Sequence, residues 1–174
     1  MLESFQLIIS LLDSTIRIAT PLIFCAMAGI FSERSGIIDI GLEGKMLLSA
    51  FVAATATFLT GFPILGLFAA ILVSCSASLI HGFACITHKG DQVISGLAIN
   101  ILASGLTITL GIALFSRGGQ TPPLASEQRF MPIDFPFLDQ VSLVPVLGDL
   151  FVEVISGHNM LVYFSVFAVF FTYY

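Results

Sequence analysis

The segment FSERSGIIDIGLEGKMLLSAF, residues 31–51, contains the side chains with the clearest potential for chemistry. Asp39 and Glu43 are four positions apart, so they share a face if this segment is helical. Like charges at that spacing repel, and each carboxylate therefore gains from a cationic or hydrogen-bonding partner. If the segment enters a bilayer, a carboxylate costs at least about 2.5–3.5 kcal/mol and normally faces the protein interior or a water-filled cavity. One interpretation is a broken helix end that lines a solute pathway. The alternative is an ordinary cytoplasmic helix start, in which both acids satisfy backbone donors.

A second group of polar residues lies in the segment HKGDQVISGLAIN, residues 88–100. Its amides and hydroxyl enter an apolar helix, where such groups bond to another helix or, for Asn100, contact the solute. His81 lies in another apolar run and is expected to be a buried, hydrogen-bonded residue. The sequence has no HExxH, no GxSxG and no phosphate-binding glycine loop, so we predict no catalytic and no metal-binding residues. The predicted solute-pathway residues are Asp39, Glu43, Asn100, Ser95 and Gln92.

The composition of the chain requires a lipid environment. Of its 174 residues, 57% are hydrophobic and 10% are charged, whereas a soluble domain has about 25% charged residues. Such a chain cannot cover its surface with polar groups, so the apolar surplus must face lipid. The net charge of −5 argues against nucleic acid as a partner.

Stretches without Asp, Glu, Lys or Arg locate the membrane spans. A spanning helix needs about 20 residues, so the 42-residue stretch must hold two helices. The sequence Gly61-Phe62-Pro63 is the natural turn between them. We therefore predict an all-α integral membrane protein with about five transmembrane helices in a single domain, residues 1–174. The stretches are 18–32, 46–87, 92–116 and 158–174.

The second span is predicted to begin with a glycine-rich break. Met46–Thr60 has 15 residues, which at about 1.5 Å per residue gives roughly 22 Å against a core of about 30 Å. The helix must therefore extend upstream into Gly36–Lys45, and this extension brings Asp39 and Glu43 towards the membrane. Each of the three glycines there weakens a helix by up to about 1 kcal/mol.

Residues 117–157 differ from the rest of the chain, with five of its seven prolines and two arginines against five acids. Irregular backbone cannot be exposed to lipid, so we predict one long extramembrane loop with a short apolar interfacial piece at 141–154. Arg34 and Lys89 lie in the short loops, and the positive-inside rule therefore places these loops in the cytoplasm. The N-terminus and the loop 117–157 are then extracytoplasmic.

The stretch IATPLIFCAMAGIFSERSGIIDIGLEGKMLLSAF, followed by KGDQVISGLAINILASGLT, resembles the permease subunits of bacterial ABC importers for nucleosides and simple sugars. These belong with the ribose-type and branched-chain-amino-acid-type permeases. The resemblance covers Thr15–Gly119 closely and continues more loosely to Tyr174. Its core is the string ERSGIIDIGLEG. Asp39 departs from the nucleoside subgroup, which has Asn at this position.

The resemblance implies a multi-pass protein of the bacterial cell (inner) membrane that works within an assembly. A second permease chain would complete the pathway, a cytoplasmic ABC ATPase would bind the ATP, and an extracytoplasmic solute-binding protein would deliver the solute. No cofactor is expected on this chain itself.

Permeases of this kind continue beyond the last span with a cytoplasmic coupling helix and further spans. The expectation is therefore that the chain is the N-terminal part of a longer permease. Two alternatives stay open: a permease for branched-chain amino acids, and a truncated remnant or assembly subunit without transport activity of its own.

Overall fold

A computed structural model describes residues 2–133 and 156–173 of the chain. The described part is largely helical, with an added antiparallel pair of two-residue strands in which Pro132 aligns with Asn159 and Ile133 with His158. The elements in chain order are α1 (Leu2–Arg34), α2 (Leu42–Thr60), α3 (Pro63–Gly82), a π-helical turn (Phe83–Thr87), α4 (Gln92–Phe115), a short 3-10 turn (Ser126–Gln128), β1 (Pro132–Ile133), β2 (His158–Asn159) and α5 (Met160–Tyr173).

The predicted helix break is confirmed between α1 and α2. Helix α1 ends at Arg34 and α2 begins at Leu42, and residues 35–41 between them are not helical. Gly36 has a φ of +84°, a left-handed conformation that favours glycine. The break therefore lies within the predicted glycine-rich stretch, and α2 takes Glu43 into its first turn.

Helices α2 and α3 form an antiparallel hairpin through the predicted turn. Gly61 ends α2 with a φ of +79°, and Pro63 is the first residue of α3, where its missing N–H costs no helical hydrogen bond. The two helices then pack very closely, because a Cβ atom at Gly66 would lie 2.6 Å from the Ala53 carbonyl oxygen.

The connection from α3 to α4 is a tight turn that ends in a helix cap. The Asp91 carboxylate accepts hydrogen bonds from the backbone N–H groups of Val93 at 2.8 Å and Ile94 at 3.0 Å. These bonds satisfy donors that would otherwise be unpaired at the start of α4. The cap fixes where α4 begins, and hence which of its side chains meet the break.

The chain divides into two compact units, one of residues 1–27 and 130–174 and the other of residues 28–129. In the first unit, Phe24 stacks on Phe164 with ring centroids 6.1 Å apart. In the same unit, buried His158 places its Nδ1 atom 3.5 Å from Asp13 Oδ1. The second unit contains the helix break, α2, α3 and α4.

Four described helical segments are long and apolar enough to cross a membrane: Phe5–Arg34, Leu42–Thr60, Pro63–Thr87 and Gln92–Phe115. Within residues 2–133 and 156–173 the count is thus four rather than the predicted five. The fifth predicted span corresponds to α5, whose described residues Met160–Tyr173 number 14. Two residues of its apolar stretch belong to β2 instead. Of the predicted loop 117–157, the interfacial piece at 141–154 lies outside the described residues.

Candidate functional site

The non-helical segment 35–41 is held by two amide side chains of α4. The Gln92 Oε1 atom accepts a hydrogen bond from the Ile38 N–H at 2.7 Å. Two helical turns further along α4, Asn100 Oδ1 accepts from the Gly44 N–H at 2.7 Å, and Asn100 Nδ2 donates to the Ile40 carbonyl at 3.1 Å. A helix break leaves backbone groups without helical partners, and these amides supply the missing bonds.

Glycines allow α4 to approach the break this closely. A Cβ atom on Gly96 would lie 2.8 Å from the Gly41 backbone nitrogen, and one on Gly44 would lie 2.8 Å from Asn100 Cα. Both contacts are shorter than van der Waals packing permits, so only glycine fits at either position. Small residues at helix contacts are typical of membrane proteins because they let backbones come together.

Asp39, which lies within the break, has a buried side chain that is paired with a lysine. Its side chain is 9% exposed, that of Lys45 is 4% exposed, and the Lys45 ammonium contacts Asp39 Oδ2 directly. The other carboxylate oxygen accepts a hydrogen bond from the Gly41 N–H at 3.1 Å. Asp39 therefore faces protein, as predicted for a carboxylate in a membrane-spanning region.

His81 of α3 extends this cluster to a third and a fourth element. Its Nε2 atom lies 3.9 Å from Asp39 Oδ1, and its Nδ1 atom lies 3.0 Å from the Ser95 hydroxyl on α4. Cys85, one turn further along the chain, places its sulfur 3.8 Å from both ring nitrogens of His81. The sulfur therefore contacts both ring nitrogens equally and does not single out either of them.

Glu43 stands apart from the other predicted site residues. It lies in the first turn of α2 and is exposed, and within residues 2–133 and 156–173 its carboxylate makes no ion pair or hydrogen bond. The shared helical face suggested for Asp39 and Glu43 does not form, because Asp39 precedes the helix. Of the five predicted site residues, four therefore lie in or against the break, and Glu43 does not. The four are Asp39, Gln92, Ser95 and Asn100.

Lys45 and His81 were not among the predicted solute-pathway residues. A charge count offers a signal for Lys45, because a buried acid in an apolar helix needs a nearby cation. Lys45 is six positions after Asp39 and next to the charge-free stretch. For His81, its position among apolar residues predicts a buried, hydrogen-bonded side chain. It does not predict which residues are the partners. The polar groups of Asp39, Lys45, His81 and Ser95 thus contact one another in the interior of the described residues.

A family model described as "Branched-chain amino acid transport system / permease component" matches residues 11–174. The chain belongs to this permease family. Its matched region includes the helix break, the amide bonds and the buried ion pair. Together with four described helices that are long and apolar enough to cross a membrane, membership makes the chain a multi-pass protein of the bacterial inner membrane.

Several curated proteins are similar to this permease chain. It is 35% identical over 156 residues to a guanosine ABC transporter permease protein of Bacillus subtilis, a match that covers 86% of the chain and 47% of the relative. A nucleoside ABC transporter permease protein of Lactococcus lactis is 32% identical over 139 residues, or 76% of the chain and 42% of the relative. A putative glucose ABC transporter permease protein of Haloferax volcanii is 31% identical over 142 residues, or 81% and 41%.

The chain therefore spans about half the length of the curated relatives it matches. No solved structure matches it.

Proposed function

We propose that this chain is a membrane-spanning permease subunit of an ATP-driven importer for nucleosides or simple sugars and that it forms part of the solute pathway. The observation that carries the proposal is the similarity to three permeases named for guanosine, nucleosides and glucose, at 31–35% identity over 76–86% of the chain. The family description names branched-chain amino acids, but none of these three relatives does, which favours nucleosides or sugars as the solute.

The proposed assembly has three further components. A second permease chain completes the pathway, a cytoplasmic ABC ATPase binds and hydrolyses ATP, and an extracytoplasmic binding protein delivers the solute. Switching a two-state pathway needs a ligand or motor that interacts differently with the two states, and ATP on the ATPase supplies that difference. This permease needs no cofactor of its own in such a scheme.

Within the pathway, we assign different roles to the five predicted residues. The exposed Glu43 carboxylate has acceptor capacity to bond the hydroxyl groups of a ribose or a sugar. The side chains of Gln92 and Asn100 are already bonded to the break, and those of Asp39 and Ser95 to the buried cluster. These four residues shape the pathway, and Glu43 faces it.

Uptake by intact cells tests the proposal. The complete permease that contains this sequence is expressed with its ATPase, second permease and binding protein in a host that lacks uptake of nucleosides and glucose. Labelled guanosine, glucose and leucine are then offered separately. We expect uptake of guanosine or glucose and none of leucine. Uptake of leucine alone would reject the solute class and favour the branched-chain amino acid alternative, whereas no uptake of any of the three would favour a subunit without transport activity.

A further inference from the structure

We propose that Lys45 and His81 are positioning residues for transport, which hold the helix break in place through Asp39 without contacting the solute. The inference rests on the proposed transport function and adds to it two residues outside the predicted pathway set. It concerns a cluster defined here as Asp39, Lys45, His81 and Ser95.

The cluster joins the break to α2, α3 and α4. Asp39 belongs to the non-helical segment, Lys45 to α2, His81 to α3 and Ser95 to α4. The connections run from the Lys45 ammonium to Asp39 Oδ2, from Asp39 Oδ1 to His81 Nε2 at 3.9 Å, and from His81 Nδ1 to the Ser95 hydroxyl at 3.0 Å. The Asp39 carboxylate thus pairs with Lys45 of α2 and lies near His81 of α3, and His81 in turn contacts Ser95 of α4.

Electrostatics explains why this carboxylate stays where it is. With Lys45 in place, the positive and negative charges balance, and the Gly41 N–H adds a hydrogen bond to the same carboxylate. Without Lys45, Asp39 would be a buried anion that has lost its closest cation and keeps only the Gly41 N–H and the His81 ring nearby, and that is strongly unfavourable. The segment would then move to bring the carboxylate to water, and the amide bonds from α4 would have to follow.

Burial excludes these side chains from direct solute contact. The side chains of Lys45 and His81 are 4% and 3% exposed, and that of Asp39 is 9% exposed. A solute in the pathway therefore meets the backbone that they position rather than their polar atoms. Loss of positioning should lower the maximal rate of transport, while the concentration for half-maximal uptake stays the same.

The experiment is a double-mutant cycle in the complete permease with its partner proteins. The variants are Lys45→Met, Asp39→Asn and the double variant, with Glu33→Gln as a control at an exposed acid in the last turn of α1. Each single variant leaves one buried charge unpaired, and the double variant removes both. We expect each single variant to lose at least about tenfold in maximal uptake rate, as befits a broken buried pair. The double variant should recover to within about threefold of the parent with an unchanged KM. The control should match the parent.

A His81→Leu variant provides the matching test for the histidine. It removes both contacts to Asp39 and Ser95 with little loss of volume, and we expect a lower maximal rate at an unchanged KM. A His81→Gln variant, which can still bond Ser95, should recover part of that rate.

A labelling measurement separates this inference from the proposed function. Ile38 lies in the break with an exposed side chain, and a cysteine placed there reports the position of the segment. In a background with Cys25 and Cys75 replaced by alanine, the Lys45→Met and Asp39→Asn variants should change the rate of thiol modification at position 38. The double variant should restore it. This readout needs no transport activity.

The inference is overturned if Lys45→Met transports and labels like the parent, or if the double variant does no better than the worse single variant in both assays. A tenfold rise in KM in the double variant would also overturn it, because the cluster would then contact the solute directly. Failure of the parent to transport, together with the expected labelling pattern, would reject the proposed function and retain the positioning role. If one single variant does not accumulate in the membrane, the double variant is compared with the other single variant and with the parent.

Discussion

Replacing Gly96 by alanine should specifically break the packing between α4 and the helix break. A Cβ atom at this position would lie 2.8 Å from the Gly41 backbone nitrogen and 3.2 Å from the Ile40 carbonyl carbon. Both are backbone atoms, so no side-chain rotation relieves the contact. Gly105, nine residues further along the same helix, offers a matched control because nothing lies within 4 Å of a Cβ atom there.

The expected magnitude follows from two opposing terms. Replacing glycine by alanine in a helix gains about 0.8–1 kcal/mol of propensity at either position. At Gly96 the added methyl group must also push backbone apart, and overpacking of this kind costs about 1–3 kcal/mol. The propensity term is common to both variants, so Gly105→Ala should be more stable than Gly96→Ala by about 1–3 kcal/mol. At about 2–4 °C per kcal/mol for a chain of this size, the difference is measurable.

Thermal unfolding of the purified permease in detergent, followed by the fraction that stays monodisperse, measures this difference. We expect Gly105→Ala to unfold at or above the temperature of the parent and Gly96→Ala to unfold several degrees below Gly105→Ala. Equal unfolding temperatures for the two variants would refute the close approach of α4 to the break, and with it the geometry assigned to the site.

Three further predictions concern the amides, the topology and the pathway. Asn100→Leu should destabilise the permease by about 2–4 kcal/mol in the same unfolding assay, because the Gly44 N–H and the Ile40 carbonyl lose their partner. The control is Ser104→Ala, because the Ser104 hydroxyl donates to carbonyl groups of its own helix. This variant should change the unfolding temperature little. Single cysteines at Lys89 and Ser126 in a cysteine-free background should be inaccessible and accessible, respectively, to an impermeant thiol reagent on intact cells, and the reverse pattern would invert the predicted orientation. Glu43→Gln should reduce uptake by the complete assembly more than it reduces the amount of permease in the membrane, and equal losses would deny Glu43 a pathway role.

Much of the fold follows from patterns that act over short distances along the chain. The spans at 46–87 and 92–116 follow from the absence of charge, and their hairpin from Gly61 and Pro63, because local backbone geometry decides both. The helix break at residues 35–41 follows from helix length and glycine content. The final apolar stretch, residues 158–174, contributes the 14 described residues of α5, and its hydropathy does not show that its first two residues form a strand instead.

The site itself depended on contacts between residues far apart in sequence. The amides of Gln92 and Asn100 could be predicted to bond another helix, but their targets lie more than 50 residues away, in the break and in the first turn of α2. The pairing of Asp39 with Lys45 and the approach of His81 require the hairpin to be folded. No periodicity in the sequence encodes which element a buried polar group will meet, and for that reason Lys45 and His81 were missed.

We propose that this permease transports a nucleoside or a simple sugar, and reconstitution tests this proposal most directly. The complete permease is placed in proteoliposomes with its second permease chain and ATPase, and the solute-binding protein is added outside with labelled guanosine, glucose or leucine. We predict that guanosine or glucose accumulates in the lumen only when the ATPase is supplied with ATP. ATP-dependent accumulation of leucine, with neither guanosine nor glucose retained, would contradict the account.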